Sequence, residues 1–223
     1  MHPRLRAFWD AVGEPPGAIL DVGAHDGTWA AQTLAALPGS TVLCFEANAA
    51  HAASLSRFEH RICLLGDANR RVSFFKARDG LCCTGDSVFR EIGPHYTDAT
   101  VALMDMHRLD DLPEVQALPR IGMIKLDVQG AELLVLSGAP ETLRKTDVVA
   151  MEAALLPYNE GAPSLSEVIE YMQARGFCAV DVLDLHYVGP LCAQVDLLFV
   201  RSDSAAFATL AACVRTRGVM PAQ

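Results

Sequence analysis

The chain has 223 residues, 51% hydrophobic and 20% charged, with a formal net charge of −9. That length supports one substantial core, and the balance excludes a disordered chain. The acidic surplus argues against a nucleic-acid backbone as the partner, because surfaces that bind one are basic.

Residues 4–12 read as a short helix, ended by "GEPPG". The N-terminus has no uninterrupted apolar h-region, so no signal peptide is expected. No run approaches the ~18 apolar residues of a membrane span, so no membrane partner is expected either. Residues 18–22 read as a buried strand, 27–37 as a helix, 41–46 as a strand, 48–58 as a helix capped by Asn48, and 61–67 as a strand. Strands and helices in alternation imply parallel strands with right-handed crossovers, covered on both faces. "RVSFFKA" (71–77) and "TVALMDMHRL" (100–109) read as further strands, and the polar, glycine-bearing stretch between them reads as a functional loop.

Residues 122–128 form the next buried strand. A helix from Ala131 breaks at Gly138, and Pro140 starts another. Strand 147–154 precedes a capping box, Ser164 with Glu167, whose helix places Leu165, Val168, Ile169 and Met172 on one face and ends at Gly176. Residues 178–188 and 194–201 form a closing strand pair, and a helix from Ser204 lies on the surface. The expected fold is a doubly wound, mostly parallel α/β sheet of about seven strands with an antiparallel last strand, Rossmann-like, in one domain over 1–223 with its core at 18–201. Seven cysteines occur without a C-x-x-C pair. Cys82 and Cys83 are adjacent, and Cys44, Cys63 and Cys178 sit in apolar runs, as reduced core thiols of a cytoplasmic protein would.

In such sheets ligands lie beyond the carboxyl ends of the strands. The first strand ends in a G-x-x-x-G turn, Gly23 to Gly27, after Asp21. The second ends at Glu46, 25 residues beyond Asp21, where an acid can accept from both ribose hydroxyls. The third ends at Asp67, which could meet an adenine amine or simply start a turn. Acidic strand ends are unfavourable beside a pyrophosphate and suit S-adenosylmethionine, which has no phosphate, better than a dinucleotide. The fourth strand carries Lys125 and Asp127 on one side, and the fifth ends near Glu152. Asp127 and Glu152 could share a proton, act as a general base, or hold Mg²⁺; the bland reading is a salt bridge of Lys125 with one of them.

With "DVGAHDG", "CFEAN", "LLGD", "LDDL" and above all "IKLDVQGAELLVLSGA", the sequence resembles the FkbM-type methyltransferases, within the class I S-adenosylmethionine-dependent fold, over about 18–201. The resemblance implies a cofactor turn of Asp21, Gly23, Ala24, His25 and Gly27, with Glu46 and Ala47 at the ribose, Asp67 on the adenine side, and Ser87 in a loop closing over the cofactor. It implies acceptor-side acids at Asp127, Glu132 and Glu152, with Asp127 also touching the cofactor. Gln129 departs from the family's usual glutamate. The implied reaction is methyl transfer to a hydroxyl of a small molecule or glycan, with Asp127 first and Glu152 second as the group that orients or deprotonates the hydroxyl, and Glu132 as support. A catalytically silent cofactor-binding protein and an NAD-dependent oxidoreductase are the competing readings, and a homodimer is left open.

Overall fold

A computed structural model of the chain describes residues 1–77, 85–93 and 96–217. Helix α1 (Pro3–Val12) precedes β1 (Ala18–Val22), α2 (Thr28–Ala36) and β2 (Thr41–Glu46). Next come α3 (Ala52–Leu55), β3 (Glu59–Ile62), β4 (Leu64–Leu65), β5 (Arg70–Lys76) and β6 (Thr100–His107). The second half runs α4 (Pro113–Gln116), β7 (Ile121–Leu126), α5 (Glu132–Ser137), α6 (Pro140–Arg144), β8 (Thr146–Ala154), α7 (Leu165–Gln173), β9 (Phe177–Val188), β10 (Leu191–Arg201) and α8 (Ala205–Arg217).

Seven strands form one sheet in the order β3-β2-β1-β7-β8-β10-β9, parallel except for β10 and β9. The chain steps outward from β1 to β3, then returns to place β7 beside β1. That reversal is the switch point, where two strand ends diverge and leave a crevice. Alternate residues feed two cores. Leu20, Val22, Ile124 and Leu126 face α5, α6 and α7, which contribute Val135, Leu136, Leu143, Val168 and Met172. Ile19 and Met123 face the other layer, built by Leu5, Phe8 and Trp9 of α1, Ala30 of α2 and Ala206 of α8. Burying each valine, leucine, isoleucine, methionine or phenylalanine among them contributes roughly 1.5–3 kcal/mol, before chain entropy is set against it. The terminal helix is therefore part of the second layer, with Phe207 and Leu210 packed onto the core.

Two expectations change, and two segments read as strands without a place in the fold find one. The strand read at 61–67 divides: Glu59–Ile62 joins the main sheet, and Leu64–Leu65 leaves it to pair with β6. Gly66 makes the departure close-packed, since a Cβ there would lie 2.2 Å from Met106 Sδ. The segments at 71–77 and 100–109 do not extend the main sheet but join β4 in a separate three-stranded sheet, β4-β6-β5. The helix read at 48–58 is shorter, a 3₁₀ turn Ala49–His51 leading into α3, although Asn48 does cap it by accepting from Ala50 N. The capping box at Ser164 and Glu167 forms as read. Among the described residues, no helix is long and apolar enough to cross a membrane. Cys82, Cys83 and part of the loop read at 79–99 lie outside the described residues.

Candidate functional site

The crevice at the switch point opens into a cavity of about 350 Å³, walled by the turns after β1, β2 and β7 and by residues 86–88. Gly23, His25, Glu46, Ala47, Ser87, Asp127 and Glu152 all line it. No lysine or arginine does so among the described residues, whereas Glu46, Asp86, Asp127 and Glu152 do. A second cavity of about 340 Å³ lies toward α1 and α2, lined by Trp29, Leu183, Asp184 and Asp196 among others. The two cavities share Asp127 and Glu152.

The turn after β1 owes its shape to two glycines. Gly23 has φ +77°, and a Cβ on it would lie 1.9 Å from the Asp127 carbonyl oxygen. The missing side chain at Gly23 thus lets this turn pass close against the end of β7. Gly27 has φ +79° and lies against Phe58, where a Cβ would come within 2.5 Å of the ring. Gly27 and Ala24 hold the turn from behind without lining the cavity. His25 has φ +49° and packs against His51, ring centroids 4.0 Å apart and planes tilted by 44°. Asp26 accepts from Thr28 N at 2.9 Å, which holds its carboxyl below the usual range. Glu46 accepts from His25 N at 2.8 Å and Asn48 N at 2.7 Å, one bond to each oxygen, so its carboxylate is fixed at the rim.

Asp21 is fully buried and outside the cavity lining, which removes it from direct reach of a ligand there. Its neighbour is Lys125, 3.2 Å away. Lys125 Nζ also donates to Gly23 O at 3.0 Å and pairs with Asp127 Oδ2 at 3.4 Å. Burial opposes charge on this lysine, but Asp21 and Asp127 outweigh it and raise its pKa. The salt bridge weighed from the sequence therefore exists, to Asp127. Gln129, held at φ +55°, donates to the other Asp127 oxygen at 3.0 Å, which a glutamate could not do.

Glu132 is buried under the same turn, accepting from Val128 N at 2.9 Å. Burial, followed by the charge of Glu152, pushes its carboxyl up to about 8. It supports the turn and lines neither large cavity. Glu152 lines both, and burial together with Asp127 pushes it up to about 7. Asp67 is outside the lining; its carboxylate pairs with Arg70 at 2.9 Å. Asp86 lines that side instead, held by Ala77 N at 2.8 Å and Tyr96 OH at 3.2 Å. Ser87 Oγ donates to Val128 O at 3.2 Å, tying its segment to the β7 turn.

Asp127 and Glu152 do not combine into a ligand set for Mg²⁺ among the described residues, because Asp127 is engaged by Lys125 and Gln129. Glu152 instead groups with His186 and Asp196, one atom of each within 4.8 Å of the others. A His186–Asp196 pair at 3.3 Å and the Tyr158 hydroxyl on Glu152 account for that group without an ion. His51, Asp86, Tyr158, His186, Gln194 and Asp196 are the site residues that sequence reading missed. Only Asp196 left a signal, an acid inside an apolar strand that faces Glu152 directly in register.

A family model described as "Methyltransferase FkbM domain" matches residues 21–178. The curated 2-O-methyltransferase NoeI of Sinorhizobium fredii (strain NBRC 101917 / NGR234) is 29% identical over 183 residues, 75% of each chain. Among solved structures, magnesium protoporphyrin IX methyltransferase (ChlM) of Synechocystis PCC 6803, solved with bound SAH, superposes with a TM-score of 0.50 at 12% identity. That match covers 89% of this chain and 81% of the other. It supports the fold derived above, the doubly wound architecture of class I methyltransferases.

Proposed function

The chain belongs to the FkbM-domain methyltransferases and is a methyltransferase; from that premise we propose that it moves the methyl group of S-adenosylmethionine to a hydroxyl of a small molecule or sugar. The observation that carries this reading is the meeting of two cavities at Asp127 and Glu152. One takes the methyl donor and the other the acceptor, so the reacting atoms meet between the two carboxylates.

The first cavity fits the donor. Its acids, with no lysine or arginine among the described lining residues, suit an adenosine that carries a cation and no phosphate, and oppose a dinucleotide's pyrophosphate. Bound there, S-adenosylmethionine supplies a methyl group on a positively charged sulfonium. Glu46 accepts from the ribose diol with the lone pairs that His25 N and Asn48 N leave over. Leu64, Leu65 and Val88 form the apolar side, with Asp86 in the adenine role first given to Asp67. Asp21 acts at one remove, through Lys125.

At the junction the residues divide the work. Asp127, fixed through both oxygens, orients the acceptor hydroxyl. Glu152, whose pKa of about 7 matches the operating range of a base, takes the hydroxyl proton as the oxygen is alkylated. Positioning supplies most of the acceleration. The name of the NoeI relative supports oxygen as the acceptor atom. A poised base between two cavities disfavours the silent binding protein.

The test is incubation with methyl-labelled S-adenosylmethionine and a panel of glycosides, hydroxylated small molecules and amines. Label is expected on a hydroxyl oxygen. Label appearing only on nitrogen, or calorimetry showing no S-adenosylhomocysteine binding, would overturn the reading.

A further inference from the structure

Tyr158 lies in the stretch that follows β8, and its hydroxyl is gripped from both sides. Gln194 Nε2, on β10, donates to the Tyr158 oxygen. The Tyr158 hydroxyl in turn donates to Glu152 Oε1 at 2.8 Å. A phenol has one hydrogen, and the Gln194 amide takes up an acceptor site on the oxygen, so that hydrogen is aimed at Glu152. Glu152 Oε2 carries no protein hydrogen bond among the described residues.

The segment holding Tyr158 is itself braced. Asn159 Nδ2 donates to Gln129 O at 3.0 Å, so the next residue grips the turn that carries Asp127. Ile92 N donates to Tyr158 O at 2.8 Å, and Glu160 N to Arg90 O at 2.9 Å. Residues 158–160 therefore join three things: Glu152, the β7 turn, and the 85–93 segment whose Asp86 and Ser87 wall the first cavity. A glutamate side chain has three rotatable bonds and does not hold one geometry unaided.

We propose that Tyr158 is a positioning residue, whose hydroxyl, set by Gln194, locks Glu152 so that Oε2 is the oxygen presented where the two cavities meet. The proposal deepens the reading of Glu152 as proton acceptor and rests on it for its catalytic meaning. The contact also has an electrostatic sign. A hydrogen bond donated to the carboxylate favours its charged form and opposes the upward push of burial. Removing the donor therefore moves the Glu152 titration further up.

The experiment follows the side-chain carboxyl carbons of glutamate by carbon-13 NMR between about pH 5 and pH 9 in the full chain, with Glu152→Gln identifying the signal. Wild type is expected to titrate at about 7. Tyr158→Phe keeps the ring and is expected to raise the midpoint by at least about half a unit, a threefold change in the proton equilibrium. Gln194→Leu releases the hydroxyl without removing it and is expected to shift the midpoint the same way by less. An unmoved Glu152 midpoint in Tyr158→Phe overturns the proposal; should that variant not fold, an unmoved midpoint in Gln194→Leu does. A midpoint that responds to Tyr158, in a protein that methylates no hydroxyl, would keep the contact and sink the acceptor reading instead.

Discussion

Glu152 and Asp127 are both carboxylates at the ends of neighbouring strands, yet their surroundings divide them. Asp127 has Lys125 on one oxygen and Gln129 on the other, while Glu152, among the described residues, accepts a hydrogen bond only from a neutral hydroxyl and lies near Asp127 and Asp196, with His186 a weaker opposing influence. Burial therefore lifts Glu152 to about 7, well above an ordinary glutamate. A base must be deprotonated to act. Turnover is expected to fall below about pH 7 by up to tenfold per unit, where an unperturbed glutamate would hold its rate to about pH 5. Glu152→Gln should lower kcat by at least about 100-fold and remove that acid limb. A pH–rate profile flat down to pH 5 in the wild type would assign the base elsewhere. Asp127→Ala tests the other half of the division. It should abolish turnover while calorimetry shows S-adenosylhomocysteine affinity within about tenfold of wild type. Loss of both together would make Asp127 a cofactor residue before anything else.

At the scale of elements, the ends of β1 and β7 are spaced by a missing side chain. Gly23 meets the Asp127 carbonyl where any Cβ would sit at 1.9 Å, and its φ of +77° is costly for other residues. Gly23→Ala should force the two strand ends apart and destabilise the chain by at least about 2 kcal/mol, a Tm loss of about 4–8 °C by calorimetry. Cofactor binding should fall in step, and a variant with unchanged Tm and affinity would show that the turns can separate freely. This part of the site was legible because an apolar run that stops at an acid and a glycine marks a strand end, and strand ends in this architecture are where ligands lie. The middle of the chain was less so. Segments 71–77 and 100–109 have strand composition, but nothing local says which sheet receives them; 100–109 lies between 71–77 and Leu64–Leu65 and pairs with both, and neither segment joins the main sheet. Asp67 was read as a site acid by its place after a strand, while Arg70 three residues on takes its charge. Asp86 and Tyr158 reach the site from loops, where periodicity carries no information. Gln194 was hidden for a different reason, since a polar residue on a strand does not announce which neighbour it faces.

On the scale of the whole molecule, the chain keeps a group of raised carboxyls, Glu132, Glu152 and Asp196, beside the strand ends that form the site. These groups make stability depend on pH in the opposite sense to paired surface acids. An unfolded glutamate titrates near about 4.3, whereas burial and then Glu152 place folded Glu132 at about 8. Between those values the folded chain binds the proton and the unfolded chain does not, so stability is full at the acid end of the window and falls as pH rises through it. Glu132 is 4% exposed, so solvent screens little of this effect. Glu132→Gln keeps an oxygen for Val128 N to donate to, but cannot ionise. Calorimetry at pH 5 should therefore find the variant and wild type close together. At pH 8 the variant should melt at least about 3 °C higher, the equivalent of roughly 1 kcal/mol for a chain of this size. Two melting curves that stay parallel across the window would mean that Glu132 titrates alike in the folded and unfolded chain, and that the turn beneath Asp127 carries no buried proton.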